Sequence, residues 1–508
     1  MKRFLLIFLL TFIPTLLAGQ TTYRYTDSLF TAVQTHTDLG YATAPELNSP
    51  YMGESATHKA GLTMHIFQPA DDELALRPML ICAHGGAFVT GNKEHDDMMA
   101  FCREFASRGY VTATMQYRLG MNPASRVSGE RAVYRALQDS RTAIRFIREK
   151  AAEFGVDTSR VYFLGSSAGA FIGLHNLFMN ETAERPASTG AISTFPPTSD
   201  NGPDLGGYDA IKSQYNHNAH PNAVIALWGA LKDTTLIKKD DEKIPVFLVH
   251  GTDDIIVPFG LGHPFQAPAL PGTFGSKTIA EKFKTIGYPH ETYFVKGVGH
   301  EFYGVHNGQW HPTPNAYWDS VLTKSSHFLY QQHKPQAAFE FTTDSYTVHF
   351  TDQSSEGTLS RYWTFGDGET STEQHPIHNY SQSGTYRVRL YIENEISSWD
   401  TTSTLVSITE TAVQTAPTLP VKTELINNFP NPFNASTTIT YSLAKAGYVG
   451  LNIYNITGRR VKSLVNEYQT PGRYSLHFNA EHLPSGLYFY RLRINDQIVS
   501  SKKMGLLK

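Results

Sequence analysis

The sequence predicts a three-layer α/β domain with a mostly parallel sheet, followed by two small all-β sandwiches. From about residue 62 to about residue 330, apolar strands alternate with amphipathic helices, the pattern that buries a parallel sheet between two helical layers. Beyond about residue 335 the helical period disappears, and short alternating strands are separated by Gly and Asp turns. At 508 residues the chain exceeds one ordinary domain.

Composition narrows the possibilities. A hydrophobic fraction of 41% and a charged fraction of 18% belong to folded protein. The balance of 43 basic against 46 acidic residues, net −3, offers no basic excess to neutralise phosphates, so nucleic acid is not an expected partner. Residues 1–19 carry Lys2 and Arg3, then the run FLLIFLLTFIPTLLA, then Ala18 and Gly19. This is the three-part layout of a secretory signal peptide. No Cys follows the small residues, so a lipoprotein anchor is not indicated. No later run approaches the roughly 20 apolar residues that cross a bilayer, and the mature chain is expected to carry no transmembrane segment. Cys82 and Cys102 are too few for a disulfide scaffold or a thiolate metal site, and both are expected as buried free thiols.

Residues from about 20 to 60 are polar and give no clear element. LTMHIFQP, from Leu62, reads as a strand closed by Pro69. Met79 to Ala83 is a continuous apolar strand suited to burial on both faces, and it ends in His84, Gly85, Gly86, Ala87. Small residues there bring backbone N–H groups close to whatever lies at the strand's carboxyl end, which is what a tetrahedral oxyanion needs. A helix (DDMMAFCREFASRG), a strand (YVTATMQ) and a long amphipathic helix from about Glu130 follow.

RVYFLGSSAGA, Arg160 to Ala170, then runs from strand through a sharp turn into the helix AFIGLHNLF, with a GxSxG at the corner and Ser167 at its centre. A serine on such a turn is pushed out in strained backbone, and the flanking glycines let strand and helix pass without side-chain collision. Periodicity fails from Glu181 to about His220, a stretch readable either as a flap over the site or as a plain surface loop. Strands AVIALWG and PVFLVHG follow, the second leading into GTDDIIVP with Asp253 and Asp254 in its loop. Ligand chemistry in open α/β sheets collects at that end, where a carboxylate can hold an imidazole in its proton-accepting tautomer. A helix around TIAEKFKTIG and the strand TYFVKG lead to His300, beside Gly299 and ahead of the helix around NAYWDSVLTKSSHFLYQQ. The order Ser, Asp, His is the one expected for this fold.

These segments, HGGAF with Gly91, GSSAG, HGTDDIIVP and GVGH, resemble the α/β-hydrolase superfamily from about Leu62 to Leu329. Within it they are similar to bacterial carboxylesterases with a HGGGF-type motif, the group that includes hormone-sensitive-lipase-like and feruloyl-esterase-like enzymes. The resemblance implies Ser167 as nucleophile, His300 as general acid and base, and Asp254, rather than Asp253, as the orienting acid. It also implies an oxyanion hole from the N–H groups of Gly86, Ala87 and Ala168. The third glycine of HGGG is here Ala87, whose methyl disfavours bulky alcohols.

WTFGDGETS, HPIHNY and SGTYRVRLYIEN resemble a PKD domain over residues 335–410, with Asp367 in a turn. Residues 411–424 read as a Thr- and Pro-rich linker. Residues 425–508, with FPNPFN, SGLYFYRL and a terminal KKM strand, resemble the type A sorting domain of the type IX secretion system. The expected whole is a signal peptide at 1–19, a catalytic domain at 20–333 and these two modules, secreted or on the outer cell surface. The expected activity is a serine carboxylic-ester hydrolase acting on acetyl or feruloyl esters of polysaccharide or on polyester. No cofactor or metal is expected. A peptidase of prolyl-oligopeptidase type and a non-catalytic adhesion protein on the same scaffold stay open as alternatives.

Overall fold

A computed structural model describes residues 23–48, 54, 57–211, 215–239, 242–409 and 420–507. The expected signal peptide and most of the expected linker lie outside the described residues. The chain divides into two units, one running to Pro335 and including Glu393–Trp399, the other comprising Gln336–Ile392 and the chain from Asp400 onward.

The first unit is built on an eight-stranded sheet. In chain order its elements are β1 (Val33–Leu47), β2 (Thr57–Pro69), β3 (Arg77–Ala83), α1 (Asp96–Ser107), β4 (Val111–Met115), α2 (Arg126–Glu149), β5 (Val156–Ser166), α3 (Ala168–Phe178), β6 (Ala223–Leu227), β7 (Val246–Gly251), α4 (Ser276–Ile286), β8 (His290–Val295) and α5 (Ala316–Gln331). The strand order is β1-β2-β4-β3-β5-β6-β7-β8. β2 runs antiparallel to β1 and β4, and every other pairing is parallel.

The central strands are apolar throughout because both faces are covered. Along β3, Met79, Ile81 and Ala83 enter a core shared with α2, α3 and α4, while Leu80 and Cys82 enter a second core shared with α1 and α5. Cys82 and Cys102 both lie in that second core as free thiols. Register then fixes the site. Ala83 pairs with Gly165, Ser166 with Leu227, and Gly251 with Val295, so the four sequence motifs leave the sheet at one edge.

β1 is an addition to the sequence reading, which left residues 20–60 unassigned. The described residues of the stretch from Glu181 to about His220 are largely a braced surface excursion. Arg131 donates to the carbonyls of Ser188 and Gly190, Tyr134 to Gly206, and Gln138 to Leu205 and Gly207. Side chains of α2 thus tie the described part of this segment down along the helix.

The all-β part contains two pairs of antiparallel sheets. In the first, Phe339–Asp344, Thr347–Asp352 and Ile377–Asn379 form one sheet, and Thr370–Ser371, Thr358–Thr364, Gly384–Asn394 and Trp399–Ile408 the other. Trp363 is fully buried in its core, and Asp367 sits in a turn, accepting from Glu369 N–H and pairing with His378 Nε2 at 2.7 Å. In the second, Glu424–Leu425, Ser436–Leu443 and Gly472–Asn479 form one sheet, and Arg460–Gln469, Gly447–Asn455, Gly486–Ile494 and Gln497–Leu506 the other. Among the described residues no helix is long and apolar enough to cross a membrane.

Candidate active site

Ser167 stands at the corner between β5 and α3. Its N–H continues the sheet ladder to Leu227 O at 2.9 Å, while its carbonyl already accepts from Ala170 and Phe171 as the first turn of the helix. The corner is too sharp for ordinary backbone, and Ser167 has φ +52° and ψ −113°. A non-glycine residue held there stores roughly 1–3 kcal/mol of strain, which the flanking β5 and α3 hold in place.

The other two predicted side chains arrive from the ends of β7 and β8. His300 Nε2 lies 3.0 Å from Ser167 Oγ, and His300 Nδ1 lies 2.7 Å from Asp254 Oδ2. An ionised carboxylate only accepts, so Nδ1 carries the ring proton and Nε2 is left to accept from the serine hydroxyl. Asp254 Oδ1 accepts from the N–H groups of Ile256 and Val257 at 2.8 and 3.0 Å. Burial alone would raise the Asp254 carboxyl, but hydrogen bonds from His250 and His300 hold it well below the usual carboxylate range. Asp253 points elsewhere, its carboxylate accepting from the Thr252 hydroxyl.

Ala87 and Ala168 line one cleft with Ser167, and Gly86 precedes Ala87 in its turn. Gly86 and Ala87 both have positive φ, +105° and +57°, in a turn closed by Val89 and Thr90 N–H bonds to Gly86 O. Glycine is the usual residue there, so Ala87 accepts backbone strain while pointing its methyl into the cleft. The turn is braced from behind by Tyr117, whose hydroxyl donates to His84 O at 2.8 Å. Ala168 N–H belongs to the first turn of α3, where helix donors have no partner within the helix.

Beside Ser167 opens a cleft of about 790 Å³, its mouth included, lined almost wholly by apolar side chains from α2, α3 and the loop after Asp254. Its aromatic lining is Phe88, Tyr134, Phe171 and Phe265. Trp228 instead packs against His300, Phe302 and Tyr303, Phe259 against His250 and Phe294, and Trp310 against Trp318. Among the described residues of the 181–220 stretch, Pro186 reaches the cleft.

Sequence reasoning missed a buried polar layer behind the site. His250, fully buried, sits 3.2 Å from Asp254 Oδ2 and takes part in a hydrogen bond with Ser276 at 2.8 Å. Its position four residues before Asp254 was the available signal. On the other side, Trp228 Nε1 donates to Ser166 Oγ at 3.0 Å, the Trp228 ring packs against Tyr303, and Tyr303 donates to Asp97 at 2.8 Å. Burial pushes the Asp97 carboxyl up from 3.8 to about 7, with nearby Glu301 adding to the rise.

That shift has a measurable sign. Between the ordinary carboxylate range and about pH 7 the folded protein holds a proton the unfolded chain has released, so this group makes stability fall as pH rises through that window. A rise from 3.8 to about 7 corresponds to at most about 4 kcal/mol. Asp97→Asn is therefore expected to be more stable than wild type near pH 8, by about 2 kcal/mol, with the gain vanishing near pH 4. Urea unfolding at the two pH values checks this, and an equal effect at both would refute it.

Among the described residues, Asp38, His65 and Glu94 offer three ligand atoms within 4.8 Å of one another. The Lys93 ammonium already bridges the two carboxylates, 2.9 Å from Asp38 and 3.6 Å from Glu94.

Residues 64–267 match the protein family described as BD-FAE, residues 332–408 the PKD domain, and residues 427–505 the secretion system C-terminal sorting domain. Gut esterase 1 of Caenorhabditis elegans is 32% identical over 127 residues, 24% of this chain and 21% of that protein. The isoprenylcysteine alpha-carbonyl methylesterase of Arabidopsis thaliana is 22% identical over 257 residues, 47% of this chain and 53% of that protein. The chain thus spans about a fifth of the gut esterase it matches. Among solved structures, propionate-bound esterase 2 of Thermogutta terrifontis aligns over 57% of this chain and 94% of that one, at 21% identity and a TM-score of 0.36. The chain therefore carries an esterase-type α/β-hydrolase domain, a PKD domain and a C-terminal secretion sorting domain.

Proposed function

We propose that this chain is an exported serine ester hydrolase that works through an acyl-enzyme. Ser167 Oγ attacks the ester carbonyl as His300 Nε2 takes its proton, and Asp254 stabilises the imidazolium. The N–H groups of Gly86, Ala87 and Ala168 receive the oxyanion, which is worth roughly 10²–10³ in rate per donor in such sites. His300 returns the proton to the departing alcohol. Water then attacks the acyl-Ser167 ester, giving its proton to His300, and collapse of the second intermediate releases the carboxylic acid and restores the hydroxyl.

The observation that carries this reading is the unbroken line of hydrogen bonds from Ser167 Oγ through both ring nitrogens of His300 to Asp254, at 3.0 and 2.7 Å. The match to an esterase family supports an ester rather than a peptide bond. The amino-terminal apolar run and the sorting domain support export through the type IX machinery to the medium or the outer surface. Acetyl or feruloyl esters of polysaccharide, or a polyester, are the substrate classes to test.

A fluorophosphonate probe applied to the purified full chain is expected to attach once, on the peptide containing Ser167, and to abolish ester hydrolysis. Failure to label, or hydrolysis that persists after complete labelling, would overturn the reading.

A further inference from the structure

We infer that the cleft beside Ser167 is an acyl site built for an extended, uncharged, apolar acyl group, so that acetyl esters underuse it. The inference rests on the proposed hydrolysis. The alcohol must leave next to the group that protonates it, His300 Nε2, whereas the acyl half stays bonded to Ser167 and keeps its oxygen on the oxyanion donors. Ser167, Ala87 and Ala168 line the cleft, and His300 does not. The cleft therefore lies on the acyl side, and the Ala87 methyl there bears on the acyl group rather than on the alcohol as expected from the sequence.

Its length and lining give the chemistry. Ala168, Phe171, His175 and Met179 are spaced along one face of α3 and its cap, and all four line the cleft. Eleven residues of helix at 1.5 Å each make this wall about 16 Å long, far more than a two-carbon acyl group spans. Val133 of α2 and Leu270 face it across the cleft.

The charged atoms at the wall are matched. Lys232 Nζ lies 3.7 Å from Glu130 Oε1, and the His175 ring is satisfied on both nitrogens, by Phe171 O and Lys232 N–H. Burial lowers His175 to about 4, which keeps it neutral. An acyl group with a free carboxylate would be desolvated there with no unmatched cation to meet it.

Each methylene moved from water into such a cleft improves binding by about four-fold, so several together separate octanoyl from acetyl by well over ten-fold. With the full chain, kcat/KM for p-nitrophenyl octanoate is expected to exceed that for the acetate by at least about ten-fold. Val133→Trp, at a partly buried position of the cleft, is expected to collapse that ratio, and an unchanged urea unfolding midpoint shows that the variant is folded. A wild-type preference for acetate, or a ratio unmoved by Val133→Trp, would overturn the inference. Equilibrium binding of both esters to Ser167→Ala separates this from the activity itself. Tighter binding of the octanoate ester with no hydrolysis in wild type would sink the hydrolase reading alone, whereas Ser167-dependent hydrolysis with equal binding would sink the acyl-site reading alone.

Discussion

Ser167→Ala is expected to lower kcat/KM for an activated ester by more than about 10³-fold, and by up to about 10⁶-fold if the three side chains act as one unit. The fold is expected to survive, because alanine fills the same buried space and inherits the same positive φ. Asp254→Asn is the more informative partner. The introduced carboxamide can still accept from Ile256 and Val257 N–H through its oxygen, so the loop stays closed. Its amide nitrogen then faces His300 Nδ1 and favours the tautomer with the proton on Nε2, which cannot accept from Ser167. A loss of about 10³–10⁴-fold follows, carried by kcat with KM little changed because Asp254 does not line the cleft. Steady-state kinetics on both variants check the pair. Activity within ten-fold of wild type in either would remove the proposed mechanism.

What was legible in the sequence was local. A nucleophile corner, a glycine turn after a strand, an acidic pair after a strand and a histidine after a strand are each written in a few adjacent residues. Their meeting follows from strands that end at one edge of the sheet. β1 was illegible for a physical reason. It is an edge strand with polar residues on its open side, and two register shifts, between His36 and Leu39 and between Gly40 and Ala42, break the two-residue period that would have marked it. The start of α2 was read late because its first turn is polar, although Ser125 caps it by accepting from Ser128 N–H. The amphipathic reading of that helix could not foresee Arg131 and Arg135, both nearly fully buried and both paired with Glu54, some eighty residues upstream. Asp97 and Tyr303 meet across 206 residues, and no local pattern encodes such a contact.

Gly169→Ala is expected to cost the hydrolase domain about 3 kcal/mol or more, and most of its activity with it. A Cβ on Gly169 would lie 2.1 Å from Ala83 O and 2.9 Å from His84 O. A Cβ on Gly165 would lie 2.1 Å from Gly169 O. These neighbours are backbone atoms of β3 and α3, so no rotamer change relieves the collision. β3 lies in the middle of the sheet and is buried along its whole length, and it can yield only by moving away from α3. That movement carries the following turn with it, and Gly86 and Ala87 would draw back from Ser167. A misplacement of about 1 Å at such donors is enough to cost about 10²-fold in rate. Gly61, on β2, is the control: a Cβ there meets nothing within 4 Å. Gly61→Ala is therefore expected to stay within about 0.5 kcal/mol of wild type and fully active. Urea unfolding and ester hydrolysis on the two variants decide the matter. Equal stability and equal activity would mean that the two outer glycines of GSSAG do not serve the close passage of helix and strand.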